Sequence, residues 1–336
     1  MINATDTAID GSAINRAIAI LRAGGLVALP TETVYGLAAD ADNEQAVRAI
    51  FVAKGRPADH PVIVHLLDAR ALPAWARVVP PAAHALAAAF WPGPLTLVLK
   101  RGARATDLLT GGQDSIGVRC PSHPWARAVL AAFAGDDPTR ALAAPSANSF
   151  GRISATRAEH VRADLGEKPS GAVDLILDGG ASPIGIESTI VDLSGDAATL
   201  LRPGAISRAQ VEAVLGSLLL DARADAPRAS GTLARHYAPR TTLELVAVAR
   251  VAARINELRG EKIALLAPAA TLLDHSSDMV LRLVAPDSVD EYARRLYSLL
   301  HQLDAAGARR LLVAIPPAGA AWEAVHDRLR RAQAAV

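Results

Sequence analysis

Cysteine is almost absent from this sequence, which holds Cys120 alone among its 336 residues. An internal disulfide needs two cysteines and a thiolate-based zinc site needs several, so both are excluded. So little cysteine fits a reducing compartment. Residues 1–11 are polar and carry Asp6 and Asp10, which is not the pattern of a secretory signal peptide. We therefore expect a cytoplasmic protein.

An excess of charge of one sign is also missing. The formal net charge is +1, and Trp, Tyr and Phe occur only four times each. Nucleic-acid binding favours a basic surface, and single-stranded RNA is commonly held by stacking on aromatic rings. The sequence therefore predicts no strong direct binding of nucleic acid, and any RNA contact would be local or made through a partner.

Long hydrophobic runs and familiar nucleotide loops are absent as well. The most apolar stretch, residues 82–99, is interrupted by His84 and by Pro92-Gly93-Pro94, so it does not predict a membrane span. The chain has no GxxxxGKS or GxxxxGKT sequence, which excludes a Walker loop. A nucleotide site must then be built in another way, and no direct protein ligands for a metal can be assigned.

What is present is the pattern of a globular α/β protein, with 51% hydrophobic and 21% charged residues. Short apolar strands, such as residues 26–29, alternate with amphipathic helices, such as residues 12–23. The alternation breaks between about residues 216 and 240 and then resumes. We expect a first domain over residues 1–215, a linker over 216–241, and a smaller α/β domain over 242–336.

Two motifs follow the first predicted strand. Pro30-Thr31-Glu32-Thr33-Val34-Tyr35-Gly36-Leu37 comes directly after it, and Lys54-Gly55-Arg56-Pro57 lies further on. Ligands collect at the carboxyl ends of strands in open α/β sheets, and cations beside glycine suit phosphate. Taken alone, Pro-Thr-Glu-Thr is also compatible with a helix-capping turn. His65, taken alone, is more simply interpreted as a half-buried core histidine.

Further polar residues stand in or after later strands. Ser115 and Arg119 share one strand face because their spacing is even, and a buried arginine must be paired or must meet an anion. The loop Ala144-Pro145-Ser146-Ala147-Asn148-Ser149 offers hydroxyls, an amide and backbone N–H groups. No His or Asp at triad spacing accompanies Ser146, so no nucleophile is predicted. Arg202, before a Pro-Gly turn, either meets phosphate or lies on a solvated face.

Considered together, the motifs are far more specific than any one of them. PTETVYGL, KGRP, WPGPLT, APSAN, GIESTIVD and LRPG follow one another in this order. In this combination the sequence resembles the YrdC-type domain of threonylcarbamoyl-AMP synthases. Arg235-His236-Tyr237-Ala238-Pro239, followed by a C-terminal α/β region, resembles the two-domain form, so the resemblance covers nearly the whole chain. It implies a YrdC-like twisted open mixed sheet with helices, plus a smaller Rossmann-like α/β domain.

The resemblance also implies an activity. Such a nucleotidyltransferase makes L-threonylcarbamoyl-AMP and pyrophosphate from L-threonine, bicarbonate or CO2, and ATP, with Mg2+ accompanying ATP. The product would serve N6-threonylcarbamoyladenosine formation in tRNA through downstream tRNA threonylcarbamoyltransferase machinery. The implied threonine-binding residues are Thr33, His65, Arg119, Ala144 and Ser188. The implied ATP-binding residues are Lys54, Arg56, His60, Ser115, Ser146, Asn148, Ser154, Arg202, His236 and Tyr237. Catalytic roles are implied for Lys54, Arg56 and His65.

Two positions depart from the family pattern, and two alternatives stay open. His60 stands where the family commonly has Asn, and Ala234 stands where many relatives have the first tyrosine of the linker. One alternative is a carbamoyltransferase of the hydrogenase-maturation type, which has a similar domain but carries Cys-rich zinc motifs. A single cysteine argues strongly against it. The other alternative is a non-enzymatic RNA-binding module, which the near-neutral charge weakens.

Overall fold

The structure, a computed structural model, describes residues 9–223, 225–271 and 278–333. The polar segment at residues 1–8, on which part of the leader prediction rests, lies outside the described residues. The chain divides into two units. The first unit comprises Met1–Ser149, Ala155–Pro183 and Glu187–Thr232, and the second comprises Phe150–Ser154, Ile184–Ile186 and Leu233–Val336. Residues 216–232 of the predicted linker therefore group with the first unit.

The first unit is built on one large sheet. Its strands are β1 (Val27–Leu29), β2 (Gly36–Asp40), β3 (Ile63–His65), β4 (Leu95–Lys100), β5 (Ser115–Arg119), β6 (Leu142–Ala143), β7 (Leu175–Ile176), β8 (Thr189–Asp192), β9 (Thr199–Arg202) and β10 (Leu220–Asp221). Its helices are α1 (Gly11–Arg22), α2 (Glu44–Lys54), α3 (Leu72–Trp75), α4 (Pro81–Phe90), α5 (Asp107–Thr110), α6 (Pro124–Ala134), α7 (Ala158–Asp164) and α8 (Arg208–Leu215).

The strands of this sheet run in both directions. Their order is β10-β9-β8-β4-β5-β3-β6-β2-β1-β7. The pairs β3–β5, β4–β8, β1–β7 and β9–β10 are parallel, whereas β4–β5, β8–β9, β1–β2, β2–β6 and β3–β6 are antiparallel. The predicted mixed α/β sheet is therefore confirmed. Strands distant in sequence are neighbours in the sheet, and this order places residues from many motifs side by side.

Capping residues determine where α2 begins and ends, and therefore where the Lys-Gly-Arg motif lies. The side chain of Asn43 accepts hydrogen bonds from the backbone N–H groups of Gln45 and Ala46 and so caps the start of α2. The helix ends at Lys54 because Gly55 adopts the left-handed conformation, with φ of 59°. The chain therefore changes direction at Gly55, and Arg56 lies outside the helix.

Helices cover both faces of the sheet near β1 and β2 but only one face of its central strands. One buried cluster contains Ile14 and Leu21 of α1, Phe133 of α6 and residues of β1. The larger cluster contains Ile50 of α2 and Trp75, packed against β3, β4 and β5. On β3, β4 and β5 this cluster takes up one face, with Val64, Leu97 and Val118. The polar side chains His65, Thr96 and Arg119 lie on the opposite face of these strands.

The second unit is a smaller α/β arrangement. Its strands are β11 (Thr242–Val246), β12 (Ile263–Ala267), β13 (Met279–Val284) and β14 (Arg310–Ala314), and its helices are α9 (Val251–Glu257), α10 (Val289–Ala305) and α11 (Glu323–Gln333). The strand order is β11-β14-β12-β13, and every pair is parallel. Its own core is formed by residues such as Val251, Leu265 and Leu312. These features agree with the expected Rossmann-like domain.

Candidate active site

A buried ion pair between Arg119 and Glu32 forms the centre of the first cluster. Arg119 is the last residue of β5, and Glu32 lies in the loop between β1 and β2. Arg119 Nη2 donates to Glu32 Oε1 at 2.5 Å, and Nη1 donates to the Thr33 hydroxyl at 2.9 Å. Arg119 Nε donates to the Gly93 carbonyl at 3.3 Å. Both charged side chains are 5% exposed. Arg119 is thus buried and paired, and its contact with threonine stays a prediction.

Arg119 keeps the Glu32 side chain ionised. Burial opposes the ionised form, but the charge and the hydrogen bond of Arg119 outweigh burial and lower the pKa of Glu32 below its ordinary value. Glu32 is therefore a carboxylate at neutral pH. Sequence reasoning assigned no role to Glu32, although a carboxylate between two threonines after a strand end was a usable signal.

His65 lies beside this pair. Strands β3 and β5 pair in parallel with His65 opposite Arg119. Burial first, and then the positive charge of Arg119, lower the pKa of His65 to about 3. The imidazole is therefore neutral at physiological pH. A base with so low a pKa is poorly matched to removing a proton from an ammonium group, which argues against the predicted catalytic role of His65. Its contact with threonine stays a prediction.

A second buried arginine joins the two predicted halves of the site. Arg202, at the end of β9, is 3% exposed, so its interpretation as an arginine on a solvated face is wrong. Its Nε and Nη2 donate to the Ser188 carbonyl at 3.1 and 2.9 Å, and Nη2 also donates to the Ser188 hydroxyl at 3.1 Å. The Ser188 hydroxyl lies 2.7 Å from that of Thr96. Thr96 is opposite Arg119 in the β4–β5 pair. A predicted ATP residue thus contacts a predicted threonine residue.

Arg56 and Arg202 meet at one residue of the linker. Arg56 Nη2 donates to the Ser230 hydroxyl at 3.3 Å and to the Pro61 carbonyl at 2.7 Å, while Arg202 Nη1 donates to the Ser230 carbonyl at 2.7 Å. Burial lowers the pKa of Arg56 only to about 10, so the side chain stays charged at neutral pH. Burial and then the charge of Arg56 lower the pKa of the adjacent His60. Sequence reasoning missed Ser230, because a serine in a stretch without apolar period carries no signal.

The Lys54 side chain contacts the loop formed by residues 144–148, which we call the APSAN loop after its sequence. Its ammonium donates to the Ser146 carbonyl at 2.6 Å and also donates to the Asn148 carbonyl. Burial, and then the charge of Arg56, lower the pKa of Lys54. Two of its three N–H donors are used in these bonds, so a phosphate contact would have to use the third and stays a prediction.

The same loop carries other predicted residues. The Asn148 amide group donates to the Ser149 carbonyl at 2.8 Å, and the Ala144 N–H donates to the Ile63 carbonyl at 3.0 Å. Ala144 is therefore tied to the strand that ends in His65. The loop is held from both sides, by β3 and by Lys54, which favours a fixed presentation of its backbone groups.

Ser115 lines a small, partly open cavity. Its floor is the sheet face formed by Ile63, Thr96, Val98, Gly117 and Ile190, and linker residues Arg228, Ala229 and Ser230 form one wall. The linker is fixed there by the Gln113 side chain, which accepts from the Arg228 N–H at 2.6 Å and donates to the Arg228 carbonyl at 3.1 Å. The cavity therefore adjoins both Ser230 and the Thr96–Ser188 pair.

Three predicted ATP residues, Ser154, His236 and Tyr237, belong to the second unit. Tyr237 has a φ of 61°, an uncommon value for a residue with a side chain. Its buried ring lies 5.3 Å from the guanidinium of Arg328. The Ala238 N–H donates to the Gly151 carbonyl at 2.9 Å, so the turn at His236 and Tyr237 pairs with the segment that contains Ser154. The contact of all three with ATP stays a prediction.

Two family models match this chain. One, described as telomere recombination, matches residues 19–204, and the other, described as threonylcarbamoyl-AMP synthase, C-terminal domain, matches residues 206–334. The mixed sheet with its buried arginines and the separate parallel α/β unit define the class as a two-domain, YrdC-like protein.

Similar proteins agree with both matches. The threonylcarbamoyl-AMP synthase of Pyrococcus abyssi is 38% identical over 332 residues, which cover 95% of this chain and 93% of the relative. That of Bacillus subtilis is 37% identical over 300 residues, covering 87% and 84%. A solved structure described as P. abyssi Sua5 complexed with L-threonine has a TM-score of 0.85 at 36% identity and covers 97% of this chain and 95% of that one. The chain belongs to the threonylcarbamoyl-AMP synthase family.

Membrane-spanning helices are not a feature of the described ranges. No helix among residues 9–223, 225–271 and 278–333 is both long and apolar enough to cross a bilayer.

Proposed function

We propose that this protein is an L-threonylcarbamoyladenylate synthase, which makes L-threonylcarbamoyl-AMP and pyrophosphate from L-threonine, bicarbonate or CO2, and ATP. The observation that carries the proposal is the contact between two buried arginine clusters. Arg119 with Thr33 forms one, and Arg202 with Arg56 at Ser230 forms the other. Ser188 and Thr96 lie between them. This arrangement would bind the carboxylate of an amino acid next to a triphosphate.

We assign threonine binding to Arg119 and the residues that contact it. A planar guanidinium binds a carboxylate through parallel hydrogen bonds, and Arg119 is held rigidly by three contacts of its own. Thr33, His65, Ser188 and the backbone of Ala144 complete the proposed threonine contacts. Since a group with few alternative conformations loses little entropy on binding, this arrangement favours specificity for one orientation of the substrate.

The nucleotide half is assigned to the side that carries Arg56 and Arg202. Lys54, His60, Ser115, Ser146, Asn148, Ser154, His236 and Tyr237 are the further proposed contacts. No group of three or more His, Cys, Asp or Glu side chains among the described residues could hold a metal ion. Mg2+ would therefore enter as part of the Mg–ATP substrate, coordinated by phosphate oxygens.

Little covalent chemistry is required of the protein. The threonine ammonium group first gives up a proton to solvent, and the neutral nitrogen forms a bond to the carbon of CO2, with loss of a second proton, or to that of bicarbonate, with loss of water. A carbamate oxygen then attacks the α-phosphorus, and the bond from that phosphorus to the bridging oxygen breaks, which releases pyrophosphate. Arg56, Arg202 and Lys54 would stabilise the charge that develops on the phosphates, and the two adjoining halves would orient the reactants. A closed site also protects the carbamate from water, and the linker wall of the Ser115 cavity is suited to that purpose.

The experiment that tests the function is pyrophosphate release by the full chain. Release should require L-threonine, bicarbonate and Mg–ATP together, and omission of any one should abolish it. Detection of threonylcarbamoyl-AMP by mass spectrometry identifies the product. Equal pyrophosphate release with and without threonine would refute the assignment, and tight salt-dependent RNA binding without turnover would favour the RNA-binding alternative.

The chemistry of the product indicates the class of enzyme that consumes it. An activated carbamoyl adenylate is consumed by a transferase, so the proposed partner is the tRNA threonylcarbamoyltransferase machinery that forms N6-threonylcarbamoyladenosine. We place the reaction in the cytoplasm, where ATP and tRNA are available. Addition of that machinery and tRNA should convert threonylcarbamoyl-AMP into modified tRNA.

A further inference from the structure

The Arg119–Glu32 pair has unused hydrogen-bonding groups on both partners. A guanidinium has five N–H donors, and Arg119 uses three of them, one each on Nε, Nη1 and Nη2, with residues that the structure describes. One N–H on each terminal nitrogen is left. Two such N–H groups on the terminal nitrogens of a guanidinium can bind a carboxylate through two parallel hydrogen bonds.

The second carboxylate oxygen of Glu32 is the other unused group of the pair. Its Oε1 accepts from Arg119, but Oε2 is buried and has no hydrogen-bond partner among the described residues. The backbone amides of Glu32 and Ser122 help to lower the pKa of the carboxyl group, yet neither forms a hydrogen bond to Oε2. A buried polar atom without a partner is costly, so such an atom at a binding site indicates a partner that arrives with the ligand.

The charges around Glu32 nearly cancel. The groups that act on it are Arg119, His65, His123 and the thiol of Cys120. Burial lowers the pKa of both histidines and raises the pKa of Cys120 to about 11, so these three groups are neutral at physiological pH. One positive and one negative charge remain, and they are adjacent.

A free α-amino acid carries the complementary pair of charges, a carboxylate and an ammonium group on neighbouring atoms. We propose that Glu32 Oε2 accepts a hydrogen bond from the α-ammonium group of L-threonine, while the two unused N–H groups of Arg119 bind its carboxylate. The site thereby recognises the zwitterion. This inference rests on the proposed function and adds Glu32 as a substrate-binding residue.

The alternative donor on threonine is its β-hydroxyl group. The ammonium is the better partner, because a hydrogen bond between two ionised groups is stronger than one to a neutral hydroxyl. It also balances the charge that the carboxylate of threonine brings beside Glu32. Recognition of the hydroxyl is then left to uncharged groups of the site, such as the Thr33 and Ser188 hydroxyls.

The two possibilities are separated by threonine analogues. L-α-Aminobutyrate keeps the ammonium and lacks the hydroxyl, whereas (R)-β-hydroxybutyrate keeps the hydroxyl and lacks the ammonium. The affinities of L-threonine and both analogues are measured by calorimetry for the wild-type chain, for Glu32→Gln, and for Glu244→Gln. Glu244 is a matched control, since it pairs with Arg254 in the second unit at 2.6 and 2.9 Å.

We expect Glu32→Gln to weaken L-threonine and L-α-aminobutyrate equally, by about 10- to 150-fold, the equivalent of one hydrogen bond to a charged group. The affinity of (R)-β-hydroxybutyrate should be unchanged or increased, and Glu244→Gln should change none of the three. If only L-threonine is weakened, Glu32 binds the hydroxyl, and if all three are weakened equally, Glu32 acts only through Arg119. Either result overturns the inference.

The wild-type chain provides a test that does not depend on the stability of a variant. It should bind L-α-aminobutyrate at least about 10-fold more tightly than (R)-β-hydroxybutyrate, because only the former supplies the ammonium. The reverse order overturns the inference while leaving the proposed function intact. Failure of the wild-type chain to bind L-threonine at all would overturn the function itself.

Discussion

Replacement of Arg119 by lysine tests the threonine half of the site most directly. Lysine keeps the positive charge opposite Glu32 but has no planar fork. Arg119 contacts Glu32, Thr33 and the Gly93 carbonyl at once through three different nitrogens. A single ammonium group cannot reproduce all three contacts and also bind a carboxylate through two parallel bonds.

The expected magnitudes follow from those contacts. Retention of the charge avoids the roughly 3–5 kcal/mol cost of leaving a buried carboxylate unpaired. Loss of the bond to Thr33 should lower the free energy of unfolding by about 1.5–3 kcal/mol, and the bond to Gly93, at 3.3 Å, adds less. In the complex, loss of one of the two bonds to the threonine carboxylate should weaken binding by about 10- to 150-fold.

The assay pairs calorimetric binding of L-threonine with denaturant unfolding. Arg254→Lys is the matched control, because Arg254 also pairs with a glutamate, here through two hydrogen bonds, but lies in the second unit. It should leave threonine affinity unchanged. If Arg119→Lys lowers stability but leaves threonine affinity within about threefold of wild type, equivalent to less than about 0.7 kcal/mol, Arg119 is structural and the reasoning is refuted.

Three other perturbations address the nucleotide half, the buried histidine and the linker. Arg56→Ala should weaken ATP about 10- to 150-fold by calorimetry and threonine far less; unchanged ATP affinity would contradict its placement. The pKa of His65 is about 3 in the folded state, below the usual value near 6.5. The unfolded chain therefore binds the proton first, and the free energy of unfolding should fall by up to about 1.4 kcal/mol per unit as pH drops from about 6.5 toward 3. His65→Gln should reduce that slope in denaturant titrations, and an unchanged slope would argue against it. ATP should slow tryptic cleavage after Arg228, and Tyr237→Ala should lower activity without unfolding the chain; cleavage indifferent to ATP would show that the linker does not close over the nucleotide.

Local sequence was sufficient for much of the fold. The apolar spacing in residues 12–23 and 43–53 predicts α1 and α2, and Asn43 and Gly55 fix the ends of α2 because capping and positive φ depend on nearby residues. Even spacing correctly placed Ser115 and Arg119 on one strand. The mixed character of the sheet came from the family resemblance, since alternation of strands and helices alone does not determine strand direction.

The membership of the site depended on contacts between distant segments. Glu32 and Arg119 are 87 residues apart, and Arg56 and Ser230 are 174 residues apart. Periodicity assigns a residue to a face of its own strand, but it does not determine which strand becomes its neighbour. Lys54 illustrates the same limit, since its charge was evident but its donation to the carbonyls of the APSAN loop was not.

The sequence by itself determined the elements, the class of protein and the motifs at the strand ends, because these depend on local periodicity, capping and residue type. Only the tertiary structure decided that Arg202 is buried against Ser188, that Ser230 joins two arginines, and that one oxygen of Glu32 has no partner among the residues that the structure describes. Burial and pairing arise when the strand order β8-β4-β5-β3 brings four separate segments together. Desolvation then determines which charges need partners, and that requirement cannot be read from any one segment.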